Sequence, residues 1–282
     1  PMTAPATPML PGSSVPPGCT PPPAAVRARD MLASEWIKLW SVRSTYATLS
    51  IAAVLAVGLS ALGTYLTATA AAHPPPGSPP LPDPLTLSFS GFPTAQLAVA
   101  VLGVLAFTAE HSTGLIRTTF VAVPRRRAVL AAKAATAGAV ALAAGEVLAF
   151  ASFFLTQAIL SGHHRGLSLA HPGVPGAVLA GGFYLAVVAL LGLGLGVLLR
   201  STAAAIAVAV ALTYLIPEIL SLLPSPWNGR IDRFLPLTAA QQLVSLHPRT
   251  DMFAPALSLL VVAGWAVAVL AAACAVITRR DA

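Results

Sequence analysis

Only 9 % of the 282 residues are charged, and just two are lysines and two cysteines; these scarcities exclude a good deal. A soluble domain usually carries about 25 % charged residues, so this chain lacks the polar material to clothe an aqueous surface. The two lysines, Lys38 and Lys133, do not follow a glycine. No Walker A loop (G-x-x-x-x-G-K-[ST]) can therefore exist here to cradle a nucleotide's phosphates. G-x-S-x-G, H-E-x-x-H and C-x-x-C are missing as well. The chain reads as one with no catalytic centre, no nucleotide site and no cofactor of its own. Cys19 lies in a Pro-rich stretch and Cys274 in the last apolar run, so a disulfide between them is not expected.

What the chain has instead is long apolar runs, at 46–70, 92–109, 134–160, 174–199, 203–223 and 255–277. Each approaches or exceeds the ~18 to 20 residues that cross a bilayer core as a helix. Strands of a membrane barrel would alternate apolar and polar residues over about ten positions, and these runs do not. The reading is an all-α membrane protein of six spans, with residues 27–282 forming one transmembrane domain and no room for a second, soluble one.

The net charge of +7 raises the question of nucleic acid, but its placement answers it. Lys and Arg cluster at the ends of the apolar runs, where they act as topology determinants. With alternating spans, twelve of the sixteen fall on the side of both termini and four on the other. The positive-inside rule puts both termini in the cytoplasm of a multi-pass protein of the cell membrane. The lipid bilayer, and not nucleic acid, is its expected surroundings.

Residues 1–26 are rich in proline without apolar periodicity and read as a disordered tail. Residues 27–45 differ: Leu32, Trp36 and Trp40 recur every four positions, with Glu35, Lys38 and Arg43 interspersed. This pattern predicts an amphipathic helix in the inner interface, anchored by the indoles; a plain charged flank is the simpler alternative. The first outer loop, 71–91, reads as an extended connector because of its prolines. In the outer loop 224–251, Leu237, Ala240, Leu243 and Val244 can share one helical face, predicting a short helix that dips back toward the membrane. Gly192 and Gly196 form a small-xxx-small face for close helix contact. His163, His164 and His171 share an outer loop without a carboxylate or thiol nearby, and read as solvated.

The densest polar signal is the inner loop after the second run. Glu110 and His111 stand at its start, then Gly114, Arg117, Pro124, and Arg125, Arg126 and Arg127 in a row. Topology needs only the charge. A glutamate at the membrane exit and a glycine one turn later predict more: a short cytosolic helix over 112–121, stopped near Pro124, offering a surface to a soluble partner.

Here the chain resembles a known family. Glu110-x-x-x-Gly114, Arg117-Thr-Thr, Pro124-Arg-Arg-Arg127 and Ala132-Lys133 resemble the permease subunits of type-2 ABC exporters, small six-span proteins common in actinobacteria. Ser34-Glu-Trp-Ile-Lys-Leu39, followed by Ser41 and Arg43, is similar to their start. Phe234-Leu-Pro-Leu-Thr-Ala-Ala-Gln241 is similar to the re-entrant helices before their last span. The resemblance implies a separate cytosolic ATPase subunit that binds ATP and Mg, and two permeases, as homodimer or heterodimer, forming the pathway. It makes the loop 110–127 the coupling element and the helix around Trp36 a second contact with the ATPase. The alternative is a non-transporting membrane scaffold or sensor that binds a cytosolic partner.

Two carboxylates remain. Glu146 sits mid-way along the third run and Glu218 near the outer end of the fifth. An ionised carboxylate at the bilayer centre costs at least ~2.5 kcal/mol on insertion scales, so such residues face protein or water. Glu146 is read as lining the pathway or the permease–permease interface, or as a protonated group hydrogen-bonded to a neighbouring helix. Glu218 is either a pathway or an interfacial residue.

Overall fold

The computed structural model describes residues 27–71, 82–123, 125–222, 227–247 and 249–279. The tail 1–26, Pro124 and the side chain of Arg117 lie outside the described residues. Among these the chain is helical throughout, without a strand. Six helices are long and apolar enough to cross a membrane. In chain order the helices are α1 (Ala28–Ser41), α2 (Arg43–Ala70), α3 (Pro84–Ser88), α4 (Phe92–Ser112), α5 (Leu115–Ala122), α6 (Arg126–Ser161), α7 (Val174–Leu199), α8 (Thr202–Ser221), α9 (Trp227–Asp232), α10 (Pro236–Leu243) and α11 (Pro255–Arg279). The spans are α2, α4, α6, α7, α8 and α11.

α7 is the axis of the bundle. It is apolar all round and mostly buried, as a helix enclosed by others must be. Its glycines decide how near its neighbours come. A Cβ on Gly192 would collide with the Ala100 carbonyl of α4, and one on Gly103 with the Ala189 carbonyl of α7. Across the other face, a Cβ on Gly145 of α6 would sit 2.6 Å from the Gly182 oxygen. Backbones this close are the gain small residues bring in lipid, where apolar burial by itself does not hold helices together. The peripheral spans behave differently: α2 exposes Ile51, Leu62, Tyr65 and Leu66, and α11 exposes Leu257, Leu260 and Val267.

Two spans carry a π-helical turn, at Val54–Gly58 in α2 and Ala211–Leu215 in α8. Both meet the first turns of α4. Gly91 tucks beneath the Leu55 and Ala56 carbonyls, with its N–H donating to Ser60 Oγ at 3.0 Å. Gln96 Nε2 donates to the Thr213 carbonyl at 3.1 Å. A π turn misaligns carbonyls from the ordinary ladder, and here side chains and a close glycine occupy the gap.

Three expectations need correction. α6 starts at Arg126, eight residues before the expected 134, because residues 126–133 are good helix formers that carry the helix beyond its apolar run, with Lys133 paired inside the protein. The connector 71–91 is not extended throughout: Asp83 caps α3 by accepting from Leu85 N at 3.0 Å, with Pro84 in the first helical position. Leu85 and Phe89 are buried, which gives this short segment its anchor. The inner helix begins at Leu115 rather than 112, since α4 runs on through Ser112 and the chain turns at Gly114.

Candidate functional site

The charged segments converge at one end of the bundle. α1 lies against the start of α6, and the end of α4 lies beside both. Between them sit two carboxylates and both lysines of the chain. Lys133 Nζ bridges Glu35 Oε2 at 2.5 Å and Glu110 Oε1 at 2.8 Å. Lys38 Nζ lies 2.6 Å from Glu35 Oε1 and 3.4 Å from Glu110 Oε1. Glu35 and Lys133 are each only 3 % exposed. Four charges of zero sum thus replace water for one another, which is the condition under which charge tolerates burial.

Geometry fixes what the cluster does. Lys133 belongs to a span, Glu110 to the end of another span, and Glu35 with Lys38 to α1; the cluster ties the three together. Burial disfavours the charge on Lys38, but the adjoining Glu35 and Glu110 carboxylates outweigh it and hold its ammonium above the ordinary lysine value. Glu110 Oε2 is buried without a partner among the described residues. It borders a cleft of about 320 Å³ lined by Lys38, Val42, Thr45, Leu105 and Thr113.

Beyond Glu110 the chain turns sharply. Gly114 takes φ +76, the left-handed region that glycine enters without penalty, and α5 follows. α5 docks Ile116, which is 2 % exposed, against Phe107, Val197 and Ile277 at the ends of three spans. Phe120 packs beside it. His111 stacks on Phe107 with ring centroids 6.0 Å apart, supporting the turn from behind. The opposite side of α5 is bare: Val121 is 84 % exposed and Leu115 is also open. A rigidly seated helix therefore presents an uncovered apolar edge.

The other predicted residues divide. Glu35 and Lys38 join Glu110 in one cluster, whereas Trp36 projects away from it, half exposed. The Trp40 ring sits tilted between those of Trp36 and Tyr46, and its carbonyl accepts from Tyr46 Oη at 3.2 Å. Arg43 starts α2 and is exposed. Arg125, Arg126 and Arg127 stand apart from the cluster. Arg126 reaches over the Phe120 ring and donates to the Ile277 carbonyl at 3.4 Å, while Arg125 and Arg127 are exposed. Glu146 lies in α6 against Gly182 of α7, with its Oε2 buried and unpartnered among the described residues. No neighbouring helix donates to that oxygen. Glu218 is exposed on α8.

The far end of the bundle is organised without charge pairs at its core. The Tyr184 hydroxyl donates to Gln96 Oε1, which links α7 to the π turn of α8 through Thr213. Ser88 of α3 bonds Thr156 Oγ1 at 2.7 Å and Gln157 Nε2 at 3.1 Å in α6. Asp83 also accepts from Leu246 N at 2.7 Å, joining α3 to the loop after α10. Leu237, Ala240 and Val244 of that helical segment are buried together, as their spacing predicted. A cleft of about 500 Å³ opens there, walled by Phe89, Phe92, Tyr184, Leu237 and Met252.

The four-charge cluster was the arrangement that sequence reasoning missed. Its signal was present, since Glu35 and Lys38 are one helical turn apart and the only two lysines both stand beside apolar residues. Among the described residues no group of three or more His, Cys, Asp or Glu side chains is placed to hold a metal ion. Compared with protein-family models and with curated proteins, the chain matches none.

Proposed function

We propose that this chain is the permease subunit of an ATP-driven ABC exporter, multi-pass in the cell membrane with both termini cytoplasmic. The observation that carries the reading is α5: an exposed apolar edge on a helix seated against the ends of three spans and joined, through Gly114, to a buried charge cluster. Such a helix transmits a push. Force applied at Val121 and Leu115 passes through Ile116 to α4, α7 and α11, and through Glu110 to α6 and α1. A separate cytosolic ATPase, holding ATP and Mg, supplies that push when it closes.

In this reading α1 lies along the inner interface, with Leu32, Trp36 and Ile37 toward lipid or the ATPase and Glu35 toward the bundle. α10, its apolar face buried, is the re-entrant helix of the outer side. Two copies, or this chain with a related permease, complete the pathway. Glu146 of α6, unpartnered at Oε2, faces that pathway or the second permease; Glu218, exposed on α8, is a pathway or interfacial residue.

Affinity purification from the native membrane followed by an ATP hydrolysis assay tests this. Capture of a soluble ATP-hydrolysing subunit is the expected result. Recovery of a partner without nucleotide-binding loops would replace the exporter with a membrane scaffold or sensor.

A further inference from the structure

Arg125 and Arg127 take no part in the charge cluster, and neither side chain has a hydrogen bond or ion pair among the described residues. They flank a shallow cleft of about 490 Å³ whose other walls are Arg126, Ala128 and Thr278. Among the described residues no acidic side chain lines it. Arg126 is already committed to the Phe120 ring and the Ile277 carbonyl, so it fixes the floor where α6 meets α11. Thr278 spends its hydroxyl hydrogen on the carbonyls of Cys274 and Ala275 and forms a wall. Among the described residues, two guanidinium groups are thus left as the cleft's free donors.

Depth says what they meet. The apolar run of α11 ends at Ile277, so Thr278, the next residue, lies at the edge of the hydrocarbon layer. The cleft therefore opens at headgroup level, between two spans that both expose apolar side chains such as Val147, Phe154 and Val267. A guanidinium is planar and binds a phosphate through two parallel N–H donors, unlike a lysine's point charge. Basic pockets between spans at this depth are suited to anionic headgroups.

We propose that Arg125 and Arg127 form a site for the phosphate of an anionic phospholipid, seated between α6 and α11. The inference is independent of what the chain transports. It separates these arginines from the ATPase-facing edge of α5, although all share one loop.

The test is native mass spectrometry of the full chain released from nanodiscs of phosphatidylglycerol mixed with phosphatidylcholine, repeated with millimolar inorganic phosphate. Wild type is expected to retain phosphatidylglycerol over phosphatidylcholine, and inorganic phosphate alone is expected not to displace it. Arg125→Ala/Arg127→Ala should lower retention by about fivefold per arginine removed. Arg125→Lys/Arg127→Lys, which keeps the charge but loses the fork, should fall between. Arg165→Ala/Arg230→Ala, at the opposite end, should leave retention unchanged, and melting in pure phosphatidylcholine reports on folding. Equal retention of both lipids, or unchanged retention in the double alanine variant, would overturn the proposal. Displacement by inorganic phosphate would assign the site to free phosphate instead. Loss of a captured soluble partner with lipid retention intact would assign the arginines to a protein interface.

Discussion

The two ends of this bundle are held by different chemistry. At the basic end, Glu35, Lys38, Glu110 and Lys133 bind α1, α4 and α6 by charge. At the opposite end, Tyr184, Gln96, Ser88, Thr156, Gln157 and Asp83 join α3, α4, α6, α7 and α8 through hydrogen bonds, only one of these groups being an acid. Charges buried with their partners resist separation, since parting them leaves each ion uncompensated. Neutral hydrogen bonds exchange at a cost of about 1 kcal/mol. Under the proposed function, the basic end is the part that transmits and the other end the part that rearranges.

The sharpest break in that comparison is Lys133→Met. It leaves two carboxylates, Glu35 and Glu110, with Lys38 as their one remaining cation, and should cost about 3 to 5 kcal/mol of stability, read as lower melting and membrane abundance. Combining it with Glu110→Gln, which leaves Lys38 paired to Glu35 and the cluster neutral, should recover most of the loss. Without that recovery, the cluster would not be a mutual neutralisation. Next in size, Asp83→Ala removes the cap of α3 and the acceptor for Leu246 N, for about 1 to 2 kcal/mol. Tyr184→Phe strands Gln96 Oε1 and should cost about 1 kcal/mol, less than any loss at Lys133. An equal loss in the two variants would erase the distinction between the ends.

Gly114→Ala forces an L-residue to φ +76, at about 1 kcal/mol, with no neighbour for the new methyl group to strike. Its effect should show in coupling of ATP hydrolysis to export more than in abundance. The smallest effect concerns pH. Lys38 is raised in the folded state, so its contribution is complete below the unfolded value of about 10.4 and is lost as pH climbs through the folded one. Melting measured from neutral to alkaline pH should decline only above about pH 10, and less so in Lys38→Met.

Much of this was legible in the residues. The bounds of α7 follow directly from its apolar run, because Gly173 and Arg200, both left-handed, end the helix where the hydropathy ends. The packing face of Gly192 and Gly196 was equally plain, as was the buried face of Leu237, Ala240 and Val244. What escaped was non-local or local in ways that periodicity does not register. Lys133 looked like a boundary charge because Glu35, its closest partner, is 98 residues away. α3 hid among prolines, although Asp83 followed by Pro84 is itself a helix start. Arg125, Arg126 and Arg127 read as one block, yet only the middle one packs back on the protein. The π turns of α2 and α8 left no mark in composition that we can identify.

The central claim, that α5 receives a soluble ATPase, is tested most directly by Val121→Asp. Val121 is 84 % exposed, so the substitution should leave the melting of the isolated chain unchanged. Capture of the ATP-hydrolysing subunit from the native membrane should be lost. Undiminished capture, with hydrolysis and export intact, would contradict the assignment of α5 as the coupling surface.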